Sequence, residues 1–141
     1  MLRFEPSKGE PWVGNFQKGD SHYCAFHELN AERVAIVAGG QGYVIDAVNK
    51  DLLYAFAGDA MCLMPMDGGM DFLTIGNTHI ERHSSTQLAW RSRKIAWDGI
   101  GRVALESSTL IGQARRFDDT WHAFCVDLRT GQHTGGAFSE T

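Results

Sequence analysis

Apolar residues along this chain gather in short runs, and each run is closed by glycine, asparagine, aspartate or serine before it reaches the length of a helix. The runs occupy residues 23–26, 33–38, 42–46, 52–56, 61–64, 71–75, 86–90, 94–97, 102–105, 109–114 and 121–127. Their spacing predicts strands, and eleven strands in 141 residues leave little room for helices. The one competing element is a short helix around residues 28–32. The connectors carry turn chemistry: Val48-Asn49-Lys50-Asp51, Ser84-Ser85-Thr86 and Arg129-Thr130-Gly131 join strand-like runs, and Asp67-Gly68-Gly69 and Trp97-Asp98-Gly99 add sharp reversals. Residues 1–141 therefore read as a single all-β domain of repeated antiparallel hairpins, with residues 1–20 as an irregular N-terminal arm.

Three hairpins can be laid over one another. Residues 42–54 align with 78–90 and with 123–132, at intervals of 36 and 45 residues, which sets Asp46 opposite Arg82 in the second copy and Asp127 in the third. Periods of this size mark stacked supersecondary units. The segment Val126-Asp127-Leu128-Arg129-Thr130-Gly131 resembles the outer hairpin of a β-propeller blade, where a strand ending in aspartate turns through Thr-Gly into the next. The resemblance covers about a third of the chain. It implies a partial-propeller-like array, with a β-sandwich or meander as the other arrangements open to such hairpins. Three blades would fall short of a usual closed ring, leaving sheet edges for a second copy or a bound partner to cover.

Composition sharpens this picture at three points. A hydrophobic share of 43% beside 21% charged residues belongs to a folded domain, and sixteen glycines against three prolines suit a chain with many tight turns. Cys24, Cys62 and Cys125 are far apart and odd in number, so they read as small buried hydrophobes in a reducing compartment. The N-terminal residues lack the apolar core of a signal peptide and no apolar run reaches membrane-spanning length, which predicts a cytoplasmic protein without membrane contact.

The net charge of −4 is unevenly spread. Residues 1–70 hold five Lys/Arg and nine Asp/Glu, whereas residues 71–141 hold eight of each. The acidic half offers Asp46, Asp51, Asp59 and Asp67 as residues that would steer a basic partner. The second half contains a basic band, and within it Trp90-Arg91-Ser92-Arg93-Lys94 is the one place where an aromatic adjoins clustered cations, so an anion or RNA contact is sought at Trp90, Arg91, Arg93 and Lys94. The overall acidic balance, with a pI near 5.8, argues against a nucleic-acid partner.

Motifs for catalysis are absent from the sequence. No Gly-x-Ser-x-Gly elbow occurs, Cys125 lies in an apolar run that predicts a core position, and Gly39-Gly40-Gln41-Gly42 precedes a strand instead of a helix and reads as a turn or bulge. His79 and His83 share one side of a strand, but Arg82 stands beside them and no ligand-spaced Cys or carboxylate pair is near, so they read as a solvent-facing strand edge and no metal or other cofactor is expected. These features together point to a non-catalytic protein-binding domain acting through a protein partner or as a homodimer, for instance a small cytoplasmic inhibitor such as a bacterial toxin-immunity protein. A small-ligand or carbohydrate-binding β-domain using surface tryptophans is the alternative, and a hydrolase with an unrecognised site is the third reading.

Overall fold

Burial along residues 109–115 alternates strictly: Leu110, Gly112 and Ala114 are buried while Ile111, Gln113 and Arg115 are partly open. That two-residue period is the signature of a strand with one face on a core, whereas residues 72–75 are buried on both faces. The computed structural model describes residues 1–6, 9–66 and 70–138, and among these it contains strands and turns and no helix.

The strands are β1 (Leu2–Phe4), β2 (Trp12–Gly14), β3 (Ala25–Glu28), β4 (Arg33–Ala38), β5 (Gln41–Asp46), β6 (Asp51–Ala57), β7 (Cys62–Pro65), β8 (Phe72–Ile75), β9 (Ile80–His83), β10 (Leu88–Arg91), β11 (Ile100–Glu106), β12 (Thr109–Arg115), β13 (Trp121–Asp127) and β14 (His133–Gly135). β3 to β6, β7 to β10 and β11 to β14 form three four-stranded sheets, each an antiparallel meander in which spatial order follows chain order. Their second strands begin at Arg33, Phe72 and Thr109, intervals of 39 and 37 residues. The predicted all-β array of repeated hairpins is thus the observed one. β1 and β2 pair as a small hairpin inside the arm expected to be irregular, because Phe4 and Trp12 stack at 4.3 Å and close over the first sheet.

The repeat has a different register from the one the sequence alignment gives. Asp46 Oδ1 accepts the N–H groups of Val48 and Asn49, each at 2.9 Å, and Asp127 Oδ1 accepts those of Arg129 and Thr130 at 2.8 and 3.4 Å. In the second sheet the same task falls to Ser84 Oγ, which accepts from Thr86 and Gln87 at 3.2 and 3.1 Å. Ser84, not Arg82, is the structural counterpart of Asp46. The slip is two residues, so it keeps each side chain on its face and leaves the apolar pattern intact. In place of a short helix over residues 28–32, Glu28 ends β3 and residues 29–32 form the β3–β4 turn, in which Asn30 Oδ1 accepts from Glu32 and Arg33 at 2.8 Å each.

The three sheets stack face to face. One core joins Ala35, Val37, Val44 and Phe56 of the first sheet to Phe72 of the second, and another joins Leu73, Ile75 and Ile80 of the second to Leu110, Phe124 and Val126 of the third. Truncating one of the fully buried large side chains, such as Phe72, costs about 3–5 kcal/mol. His83 belongs to this interior: it is fully buried, 4.3 Å from the Phe56 ring and 4.9 Å from Phe72, with Nε2 2.8 Å from Thr74 Oγ1. The solvent-facing strand edge expected for His79 and His83 therefore does not hold for His83, whose ring fills a slot between two sheets. The cysteines also depart from expectation, since Cys24 is exposed and Cys62 and Cys125 are half-buried. Cys125 lies outside the core because the strand alternation puts Phe124 and Val126 inward and Cys125 on the opposite face.

Candidate functional site

Residues 94–97 look like a strand in sequence and are a connector in the structure. Their backbone groups are divided among neighbours: Ile95 N–H donates to Thr78 O at 2.8 Å, Trp97 N–H to Arg115 O at 3.0 Å, and Ile95 O accepts from Ala137 N–H at 2.8 Å. Ser92 fixes the entry to this segment, giving its N–H to Ile80 O at 2.8 Å and accepting Ile80 N–H on Oγ at 3.0 Å. Ile95 and Ala96 are fully buried, while Trp97 is exposed and Lys94 Nζ stands 4.6 Å above the Trp97 ring and 4.7 Å above Phe138. A single stretch of six residues thus anchors itself inward and presents a cation and an aromatic outward.

Opposite this connector, the turn between β12 and β13 is closed by Arg116 N–H to Thr120 O at 2.8 Å, and it carries Arg116 over Phe117 at 5.0 Å. The third wall is the turn into β14, whose Gly131 sits under the Trp90 indole. Trp90 Nε1–H donates to Leu128 O at 2.8 Å, and Arg82 Nη1 donates to the same carbonyl at 2.8 Å while it also bonds Asp71. These contacts pin the outer turn of the third sheet to the edge of the second.

Between the walls lies an open cleft of about 1190 Å³. Among the described residues, Arg91, Arg93, Lys94 and Arg116 line it, together with His122, His133, Trp97, Phe117, Phe138 and residues 130–132 and 135–137, and none of these is an Asp or Glu. Burial, reinforced by the Arg93 charge, holds His133 below the ordinary histidine pKa. Behind the cleft Glu81 stands opposite Arg91 on the neighbouring strand, and burial pushes its carboxyl above the usual range. The cleft is a concentration of positive charge on a protein of net charge −4, so its field acts locally on a negative group that enters it.

Arg91, Arg93 and Lys94, singled out in the sequence, come together here. Trp90 does not line the cleft and serves as its buttress. The four aspartates do not form one patch. Asp46 is buried and spends both carboxylate oxygens on its turn, with the Asn49 N–H as the main cause holding its pKa below the usual value. Asp51 faces it across the β5–β6 turn and is exposed. Asp59 follows the far end of β6, about 20 Å from Asp51 at the rise of an extended strand, and lies against Gly76 and Asn77. Asp67 falls outside the described residues. Among the described residues no three His, Cys, Asp or Glu side chains gather in a metal-holding group.

Sequence reading missed Arg116, Phe117, His122, His133 and Phe138. A usable signal existed for the first two, since Arg115-Arg116-Phe117 repeats the pairing of cations with an aromatic seen at Trp90-Arg91. Nothing in the sequence marks His122, His133 or Phe138 as neighbours of Lys94, because their proximity depends on how the second and third sheets meet. Compared with known proteins, the sequence matches no family model and no curated relative, so the cleft is interpreted from its own residues.

Proposed function

We propose that this chain is a non-catalytic protein-binding domain whose working surface is the cationic cleft, and that the segment it takes is acidic. The observation that carries this reading is the set Arg91, Lys94 and Arg116 around one cleft, with no carboxylate among the described residues that line it. Like charges are held close there, an arrangement that favours a ligand supplying carboxylates. Among the described residues the lining holds no cysteine or serine, which favours binding over group transfer to such a nucleophile.

An acidic peptide suits the cleft better than nucleic acid or sugar. Lys94 occupies faces of Trp97 and Phe138, and Arg116 a face of Phe117, so the aromatics are engaged by cations of the same chain. Base stacking and sugar stacking both need such faces free. The net charge of −4 also opposes a long polyanion, whereas a short acidic segment meets only the local field. The inhibitor expected from the sequence keeps its principle, action by binding, with the sign of the partner reversed.

The test is an NMR titration of the full chain with a short peptide of alternating Asp and Leu and with its Lys-Leu counterpart. Shift changes from the acidic peptide should cluster at Lys94, Trp97, Arg116 and residues 130–137. Shifts caused only by the basic peptide, or spread over the Asp46–Asp51 turn, would overturn the reading.

A further inference from the structure

In this stack the first sheet is covered on one side by the β1–β2 hairpin and on the other by the second sheet, and the second sheet is covered by its two neighbours. The third sheet turns Leu110, Ala114, Phe124 and Val126 to the second. Its other face carries Ile111, Gln113 and Arg115 on β12, paired across the ladder with Cys125, Ala123 and Trp121 on β13. Ala104 and Ala123 are exposed although they lie within the sheet, and Trp121 is 49% exposed, so no described element covers this face.

The face is polarised along the strands. Glu106, Thr109 and Asp127 share the rung at one end, and Arg115 and Trp121 share the rung at the other. Between them lie the small or apolar Ala104, Ile111, Ala123 and Cys125 together with the polar Gln113 and Thr134. A two-fold axis in the plane of the contact, perpendicular to the strands, lays β12 over its own copy and reverses the strand direction. Each acidic end then meets a basic end, with Arg115 of one copy set between Glu106 and Asp127 of the other. Arg115 already bonds Asp119 of its own chain through Nε and Nη2, and a guanidinium has further donors.

We propose that this open face joins a second copy of the chain in a two-fold dimer. Three strands of seven residues and the three-residue β14, about 4.8 Å apart, cover roughly 400 Å² per copy, or about 800 Å² in all, which belongs with weak, concentration-dependent contacts. The contact is a separate surface from the cationic cleft and stands or falls independently of it.

Sedimentation equilibrium of the full chain over a wide concentration range tests the proposal. The wild-type chain is expected to pass from monomer to dimer. Ala123→Glu, which places a charge in the middle of the face, should remain monomeric while keeping its unfolding midpoint. Glu106→Arg and Arg115→Glu should each weaken self-association, and mixing the two variants should restore it as a heterodimer. Arg91→Glu, in the cleft, should leave association unchanged. A wild-type chain that stays monomeric throughout, a dimer that survives Ala123→Glu, or charge-reversed variants that fail to pair with each other would overturn it.

Discussion

Trp90 lies flat over Gly131, so closely that a Cβ at residue 131 would sit 2.6 Å from the indole ring. Gly131 also adopts φ +79°, a left-handed conformation that disfavours a side chain. This contact joins the edge of the second sheet to the turn that forms one wall of the cleft, and it explains why the aromatic found beside the cations is structural. Gly131→Ala is expected to destabilise the fold by about 2 kcal/mol through strain and overlap, and to weaken acidic-peptide binding because the turn shifts. Trp90→Phe, which removes the bond to Leu128 O, should cost about 1–2 kcal/mol. Urea unfolding of both variants checks the two values.

His83 makes stability depend on pH. Burial lowers its pKa to about 4, against about 6.5 for an unfolded histidine. Between these values the unfolded chain binds more protons, so stability rises with pH through this window and is lost as pH falls from about 6.5 toward 4, by up to about 3 kcal/mol in total. His79 and His133, whose pKa values are also lowered by burial, act in the same direction. Unfolding midpoints measured across the window should fall on acidification, and His83→Phe, which keeps an aromatic between Phe56 and Phe72, should flatten the slope. An unchanged slope in that variant would rule out His83 as its main source.

The cleft should bind more tightly in mild acid. A bound carboxylate favours protonated His133, so binding takes up protons, and affinity for an acidic peptide should rise several-fold from about pH 8 to pH 6, while the peptide's own carboxyls remain ionised. His133→Ala should reduce this rise. Isothermal titration in two buffers of different ionisation enthalpy detects the proton uptake directly.

Three turn residues do one job with different chemistry, and their removal should rank by burial. Asp46→Ala should cost about 1–2 kcal/mol because it removes a buried acceptor that holds the Val48 and Asn49 N–H groups. Ser84→Ala and Asp127→Ala, at more open turns, should each cost less than Asp46→Ala. Thermal unfolding of the three variants checks the order, and equal effects would show that burial of Asp46 adds nothing.

Fold class was legible in this sequence because a strand betrays itself locally, through the two-residue alternation of residues 109–114 and turn formers such as Asn49 and Gly131. Register was less so, since Ser84 and Asp46 accept the same backbone bonds and look unlike in sequence. His83 was misread for a related reason: it lies among polar neighbours in the chain, and only the stacking of two sheets places it between Phe56 and Phe72. At the site, Arg91, Arg93 and Lys94 were visible as one contiguous cationic run. Arg116, His133 and Phe138 come from other turns and strands, and what joins them to Lys94 is the docking of the third sheet on the second, held by long-range bonds such as Trp90 to Leu128. Helix-free connectors were the hardest to read, for residues 94–97 have a strand's apolar content and a linker's hydrogen bonds.

Fluorescence anisotropy with a labelled Asp-Leu peptide, comparing the wild-type chain with the Lys94→Glu/Arg116→Glu variant at low salt, tests the binding role of the cleft most directly. The wild-type chain should bind with an affinity that falls as salt rises, and the double charge reversal should lose at least about ten-fold while retaining its unfolding midpoint. Equal binding by the two proteins, or no binding by the wild-type chain, would contradict the cleft as the site of an acidic partner.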